Sequence, residues 1–206
     1  MTKQTKRWTL GAVALGLAIL VFASTRVLAI EEPAYRVTDR FDDVEIRAYE
    51  PYRVASLIVE GSFKAAGNRA FRPLVGYISG RNATNTEYAM TAPVTQQAAG
   101  QQWRIEFVLP AGTTLADLPA PENAQIELLE RPARTVAAVR YSGAWSQDRY
   151  QHYEQSLLQT LQANGFTRCG APVWARFNSP FALWFMRRNE VQVDVAKGAC
   201  PAHSTD

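Results

Sequence analysis

Residues able to do chemistry are few in this chain of 206 residues, and they do not cluster. There are two histidines, His152 between Gln151 and Tyr153, and His203 near the C-terminus. No GxSxG elbow presents a nucleophilic serine, and no HExxH helix offers two imidazoles and a general base to a zinc ion. Two histidines also leave no set from which to build a Ser-His-Asp relay. The two cysteines, Cys169 and Cys200, form neither a CxxC nor a Cys/His cluster, so a zinc site has little support. In an exported protein such an even pair reads as a disulfide, and two free thiols are the other reading. The acid pairs Glu31-Glu32 and Asp42-Asp43 are adjacent carboxylates of the kind that solvate exposed turns.

The elements that must position these residues show themselves through an internal repeat. Shifted by 82 positions, VEIRAYEPYRVASLIVEGSF (44–63) lies over IELLERPARTVAAVRYSGAW (126–145) without a gap. Val54-Ala55 falls on Val136-Ala137, Leu57 on Val139, Gly61 on Gly143 and Phe63 on Trp145. So many matches in register, keeping the apolar positions, indicate duplication.

Each copy predicts strands by the alternation of apolar and polar residues. The first gives Val44–Tyr49 and Arg53–Val59, a helix between Ser62 and Gly80, then strands near Thr91–Gln97 and Trp103–Leu109. In that helix Gly67, Phe71, Leu74, Val75 and Ile78 recur at the spacing of one amphipathic face, with Tyr77 at its margin. Ser62 suits the N-cap and Gly80 the C-terminal stop. Pro73 inside the helix predicts a kink or two shorter helices. The second copy gives Gln125–Glu130, Thr135–Tyr141, a helix over Ser146–Ala163 burying Tyr150, Tyr153, Leu157, Leu158 and Leu161, then Val173–Phe177 and Val191–Val195. If those last two strands pair, both cysteines lie just beyond the open end of the hairpin. The Pro- and Ala-rich stretch Ala111–Pro121 links the copies. The fold class is α+β, a distorted antiparallel β-barrel from two tandem βαββ repeats with two flanking helices.

The N-terminus belongs to a different class. Lys3, Lys6 and Arg7 precede an uncharged apolar run from Trp8 to about Phe22, and Val27 and Ala29 supply small residues of a signal-peptidase site. Residues 1–29 therefore read as a signal peptide or, on the same residues, an uncleaved membrane anchor. The expected location is periplasmic or secreted, or membrane-anchored. Residues 1–29 hold four of the 22 basic residues and none of the 19 acidic ones, so the remainder carries 18 against 19, a net −1. The basic character belongs to the leader and gives nucleic-acid binding no support. The expected domain covers 33–197, with 198–206 a frayed tail.

Several stretches in this order resemble the SOUL/heme-binding protein family: EIRAYEPYRVA (45–55), AFRPLVGYISGRN (70–82), Met90-Thr91-Ala92-Pro93-Val94, Ala175 to Pro180, and Arg188-Asn189-Glu190-Val191. The resemblance implies a distorted β-barrel flanked by two helices. It also implies binding of heme or a related tetrapyrrole in a hydrophobic cleft beside the first helix, and the residues available as iron ligands make the expected binding weak and non-covalent.

A heme brings a flat apolar face, two carboxylates and an iron that takes a His, Met, Cys or Tyr ligand. The candidate binding residues are Phe71, Leu74, Val75 and Ile78 for the face, Arg72 for a propionate, and Met90 as a soft donor beside Tyr77 and Tyr88. The same stripe would otherwise be core against the sheet. The first helix has no histidine, so the metal ligand is left open. Met90–Val94 and Arg187–Glu190 read as structural, Pro93 as a bulged or edge-strand start. The expected function is a tetrapyrrole carrier, buffer or scavenger of the cell envelope, not an enzyme. The alternatives are a sensor or interaction module for non-heme apolar ligands, and an enzyme acting on tetrapyrroles or a small ester.

Overall fold

A computed structural model describes residues 30–179 and 181–201. Ten strands and two α-helices follow one another: β1 Tyr35–Phe41, β2 Val44–Tyr49, β3 Tyr52–Val59, α1 Phe63–Ile78, β4 Val94–Ala99, β5 Gln102–Val108, β6 Glu127–Arg131, β7 Arg134–Tyr141, α2 Gln147–Ala163, β8 Thr167–Arg168, β9 Val173–Arg176 and β10 Asn189–Ala196. All strands join one curled antiparallel sheet in the order β1-β2-β7-β10-β9-β4-β5-β3-β6, with β8 beside β10. The class is α+β, as the sequence predicts.

The repeats exchange strands. β3, α1, β4 and β5 form one βαββ unit, and β7, α2, β9 and β10 form the other. The strand leading each unit pairs with the other unit: β2 with β7, and β6 with β3. The two pairings are equivalents, because the 82-residue shift carries Val54↔Leu129 onto Val136↔Arg47. β4 and β9 meet at the seam between the units, Gln96 opposite Trp174.

Both helices pack on one face of the sheet. Ala66, Ala70, Leu74, Tyr77 and Ile78 of α1 bury against Ala55, Leu57, Ile105 and Phe107. Tyr150, Leu157 and Leu161 of α2 bury against Val44, Ile46, Val139, Val191 and Val193. The buried stripe of α1 is thus turned from the expected one. Tyr77 is fully buried, not marginal, and Phe71 lies on the outer flank. The small side chains of Ala66 and Ala70 let the helix approach the sheet along their side. Pro73 neither breaks nor splits α1, which is continuous from Phe63 to Ile78. Proline removes one backbone donor, and the packed face on either side holds the helix through the gap.

Ser62 and Ser146 cap the two helices by accepting from the backbone N–H of Ala65 and Arg149. Gly61 and Gly143 precede these caps with φ of 120° and 125°, a conformation that glycine alone takes freely. This is why both repeats keep a glycine there. β9 and β10 form the expected hairpin, and Cys169 and Cys200 are joined by a disulfide, Cα to Cα 5.3 Å. Pro93 precedes β4 through a cis Ala92–Pro93 peptide bond.

The sheet face turned away from the helices is polar, and one ion-pair network crosses it. The Arg47 guanidinium of β2 donates to both Glu190 oxygens of β10, at 2.7 and 3.2 Å. Arg188 donates to Glu190 Oε1 at 2.8 Å and to Glu32 at 2.8 Å, and Gln192 Nε2 donates to Glu190 Oε2 at 2.7 Å. Glu190 is wholly buried. Burial alone would raise its carboxyl pKa; hydrogen bonds and charge from Arg47, with the charge of Arg188, outweigh this and hold it below the usual range.

Two outcomes follow. Glu190→Gln removes the buried carboxylate shared by Arg47 and Arg188, leaving Arg47 with Glu45 and Arg188 with Glu32, and should cost about 3–5 kcal/mol in denaturant unfolding. A carboxyl whose folded pKa is depressed stabilises the fold above its unfolded value, 4.5, and that contribution fades as pH falls through the lower folded value. The variant should therefore lose part of the parent's acid sensitivity below this range. Replacing both Cys169 and Cys200 by alanine should cost about 2–4 kcal/mol in the same assay under oxidising conditions.

Candidate functional site

The six predicted binding residues separate into two groups. Leu74 and Ile78 are buried beneath α1 in contact with the sheet core. They form a floor and do not line an open cleft. Phe71 (40% exposed), Val75 (half-buried), Arg72 (exposed) and Met90 (46% exposed) remain available on or near the outer flank. Phe71 rests edge-on against Phe107, ring centroids 5.6 Å apart, which fixes its ring relative to β5.

Met90 is held from its C-terminal side. The Thr91 hydroxyl donates to the Val108 carbonyl at 2.6 Å, and Ala92 N–H donates to the Glu31 carbonyl at 2.8 Å. On its other side Tyr88 N–H donates to the Ile78 carbonyl at 2.8 Å, tying the segment to the end of α1. The MTAPV block is thereby strapped across the ends of α1 and β5.

The candidate iron ligands differ in fitness. Burial pushes the Tyr77 phenol up to about 12, and its hydroxyl donates to the Pro119 carbonyl at 3.2 Å. Tyr88 stacks on Tyr77 with ring centroids 6.1 Å apart, and burial raises its pKa as well. His152 is exposed on α2, edge-on to Tyr153 at 5.3 Å; His203 lies outside the described residues. Cys169 and Cys200 are consumed by their disulfide. Met90 is an exposed soft donor in the segment tied to the end of α1. Among the described residues the side chains near α1 are compatible with the apolar face and a carboxylate of a tetrapyrrole and include no histidine.

Two grooves lie elsewhere. One of about 500 Å³ runs over the polar sheet face, lined by Tyr35, Arg40, Glu45, Arg47, Arg140 and Glu190 among others. Its mixed charges offer no apolar platform. Another of about 380 Å³ opens between the starts of the helices, beside Ser62, Trp103 and Gln147. Among the described residues no three His, Cys, Asp or Glu side chains form a metal-binding group. Asp42-Asp43 is the turn of the β1–β2 hairpin. Arg188, Asn189 and Glu190 are structural ties: besides the ion pairs, Asn189 accepts from Trp145 Nε1 at 2.8 Å and donates to the Gly143 carbonyl at 3.1 Å.

Sequence reasoning missed two features. The Arg47–Glu190 pair joins residues 143 positions apart, which no local pattern reveals. The loop between β9 and β10 exposes Phe181, Leu183, Trp184, Phe185 and Met186. An uninterrupted Leu-Trp-Phe-Met run following Pro180, lacking helix or strand periodicity, was the available signal.

Comparison with known proteins agrees with this architecture. The chain is 26% identical over 186 residues to heme-binding protein 2 of Mus musculus, covering 81% of this chain and 90% of that one. It is 25% identical over 182 residues to heme-binding protein 2 of Homo sapiens, covering 79% and 88%. Among solved structures, the EcmrR C-terminal domain superposes with a TM-score of 0.57 at 15% identity, covering 79% of this chain and 98% of that one. A hydrolase from Listeria innocua superposes with a TM-score of 0.55 at 11% identity, covering 77% and 94%. At these identities the two structures establish a shared fold and nothing of its use. The family described as SOUL heme-binding protein matches residues 30–194, and the chain belongs to it.

Proposed function

We propose that this protein binds heme or a related tetrapyrrole, weakly and non-covalently, on the outer flank of α1, and serves as a carrier, buffer or scavenger of the cell envelope. The observation that carries the reading is the family match over residues 30–194. The geometry is compatible with it: Phe71, Val75 and Met90 offer an apolar surface, with Leu74 and Ile78 packed beneath α1. Exposed Arg72, next to Phe71, would meet a propionate as a charge-assisted hydrogen-bond donor. Met90 would supply a thioether to the metal, whose own contribution is its ligand and redox chemistry. A surface platform without imidazole favours reversible binding and transfer over tight retention.

The envelope assignment rests on other residues. Lys3, Lys6 and Arg7 before the Trp8–Phe22 run have the pattern of an export signal or anchor. The Cys169–Cys200 disulfide suits an oxidising compartment. No helix among the described residues is long and apolar enough to cross a membrane, and the leader lies outside them.

Absorbance titration of the purified protein with heme is the test. A saturable Soret band of one-to-one stoichiometry is expected. Phe71→Asp should weaken binding about tenfold or more by placing a charge on the apolar face. Met90→Ala should move the band if the thioether ligates, and metal-free protoporphyrin should then bind less tightly than heme. Equal affinity for metal-free porphyrin and for non-planar apolar probes would favour the sensor reading. A non-saturating signal indifferent to Phe71→Asp would sink the carrier reading.

A further inference from the structure

We propose that the β9–β10 loop is a membrane-contact element, whose tip Phe181–Met186 enters the interfacial layer of a phospholipid bilayer. In this loop Phe181 is 94% exposed, Trp184 62% and Met186 67%, with Leu183 and Phe185 also more than half exposed. Monomeric proteins seldom leave so many large apolar side chains together in water.

The loop has the properties that insertion demands. Four of its backbone donors are closed internally: Phe181 N–H donates to Ser179 Oγ, Ala182 N–H to the Ser179 carbonyl, Met186 N–H to the Leu183 carbonyl and Arg187 N–H to the Trp184 carbonyl. The Arg187 side chain spans the loop, its Nε donating to the Ala182 carbonyl at 2.9 Å. In a medium without water each unpaired backbone donor would be costly, so these bonds lower the cost of entry, and the remaining donors call for the hydrated interfacial layer rather than the hydrocarbon core. No acid occurs between Asn178 and Arg188, so nothing in the loop repels an anionic lipid surface. Tryptophan is favoured at the membrane interface, and Trp, Phe and Leu make up the apolar face that interfacial elements bury.

The foot of the loop points to the same occupant. Arg188 N–H donates to Asn178 Oδ1 at 2.6 Å, and the Arg188 guanidinium stacks on Phe177 at 3.7 Å and pairs with Glu32 at 2.8 Å. Phe177 packs with Ala92, whose N–H donates to the Glu31 carbonyl. The folded domain thus receives its N-terminal connection at the foot of this loop. The sequence just upstream carries the apolar Trp8–Phe22 run. A leader retained in a bilayer would tether this end of the domain to it. A protein partner is the weaker choice, since a six-residue protruding tip falls short of the roughly 800 Å² per side of a stable interface. A bilayer needs no matching shape. This inference uses the leader and the loop and does not depend on heme binding.

Trp184 itself reports the outcome. The full chain is mixed with vesicles of phosphatidylethanolamine and phosphatidylglycerol, part of the lipid brominated at defined acyl positions. Because the chain has five tryptophans, the emission of Trp184→Phe is subtracted from that of the parent. Trp184 is an exposed residue, and circular dichroism checks that the variant folds. The expected result is a blue-shifted Trp184 emission, quenched most by bromines about 5–10 Å into the headgroup–acyl boundary. Emission unchanged by bromination while the chain sediments with the vesicles overturns the proposal, the leader alone then holding the protein. Failure to sediment overturns it as well. Quenching of Trp184 by equimolar heme but not by brominated lipid also overturns it, and assigns the loop to covering a tetrapyrrole.

Discussion

Neither repeat of this protein can finish its own sheet. β2 finds its partner in β7 of the second unit, and β6 finds its partner in β3 of the first. This exchange fixes the strand order, brings both helices to one face and sets β4 against β9 at the seam. Gln96 occupies that seam. Its Nε2 donates to the Phe63 carbonyl at the start of α1, and its Oε1 accepts from Arg176, which also reaches Tyr150 of α2. A buried polar side chain bonded to α1 directly and tied to α2 through Arg176 sets the spacing of the helices as well as filling space.

The exchange also divides the two faces by chemistry. Side chains of β2, β7 and β10 alternate, so Val44, Ile46, Val139, Val191 and Val193 meet α2 while Arg47 and Glu190 meet each other on the opposite side. The apolar interior is filled by Tyr77, Tyr150, Leu74 and Leu157, each fully buried. The polar face is occupied by paired charges. Phe71, Val75 and Met90 stand at the margins of the apolar interior.

Much of this architecture is readable in the sequence, and the reasons differ by element. The duplication shows because each copy preserves the same demands: a left-handed glycine before the helix cap, paired Val-Ala positions inside the sheet, and an aromatic where helix meets strand. The helix cap at Ser62 and the disulfide are equally legible, being local chemistry or a lone pair of thiols. The strand exchange is not, since periodicity tells what a strand buries and not which strand lies beside it. β1 escaped for another reason: Arg36, Thr38, Asp39 and Arg40 mask it, as an edge strand largely exposed. The facing of α1 was misjudged because large side chains drew the stripe toward Phe71, whereas Ala66 and Ala70 mark where the helix touches the sheet. Within the candidate site, Leu74 and Ile78 could not be separated from Val75 and Met90 without knowing that facing.

The unequal β-hairpins of the two units have a consequence for how such a chain could arise. A single repeat alone would leave its leading strand unpaired, and two identical copies would satisfy each other only about a two-fold axis, each lending a strand to its twin. Fusion replaces that concentration-dependent association with an intramolecular one and releases the halves from identity. The first unit joins β4 to β5 by the two residues Gly100 and Gln101, whereas the second joins β9 to β10 through Phe177–Arg188. A symmetric dimer would carry the long aromatic loop at both poles. The fused chain carries it at one, so the molecule has a front and a back.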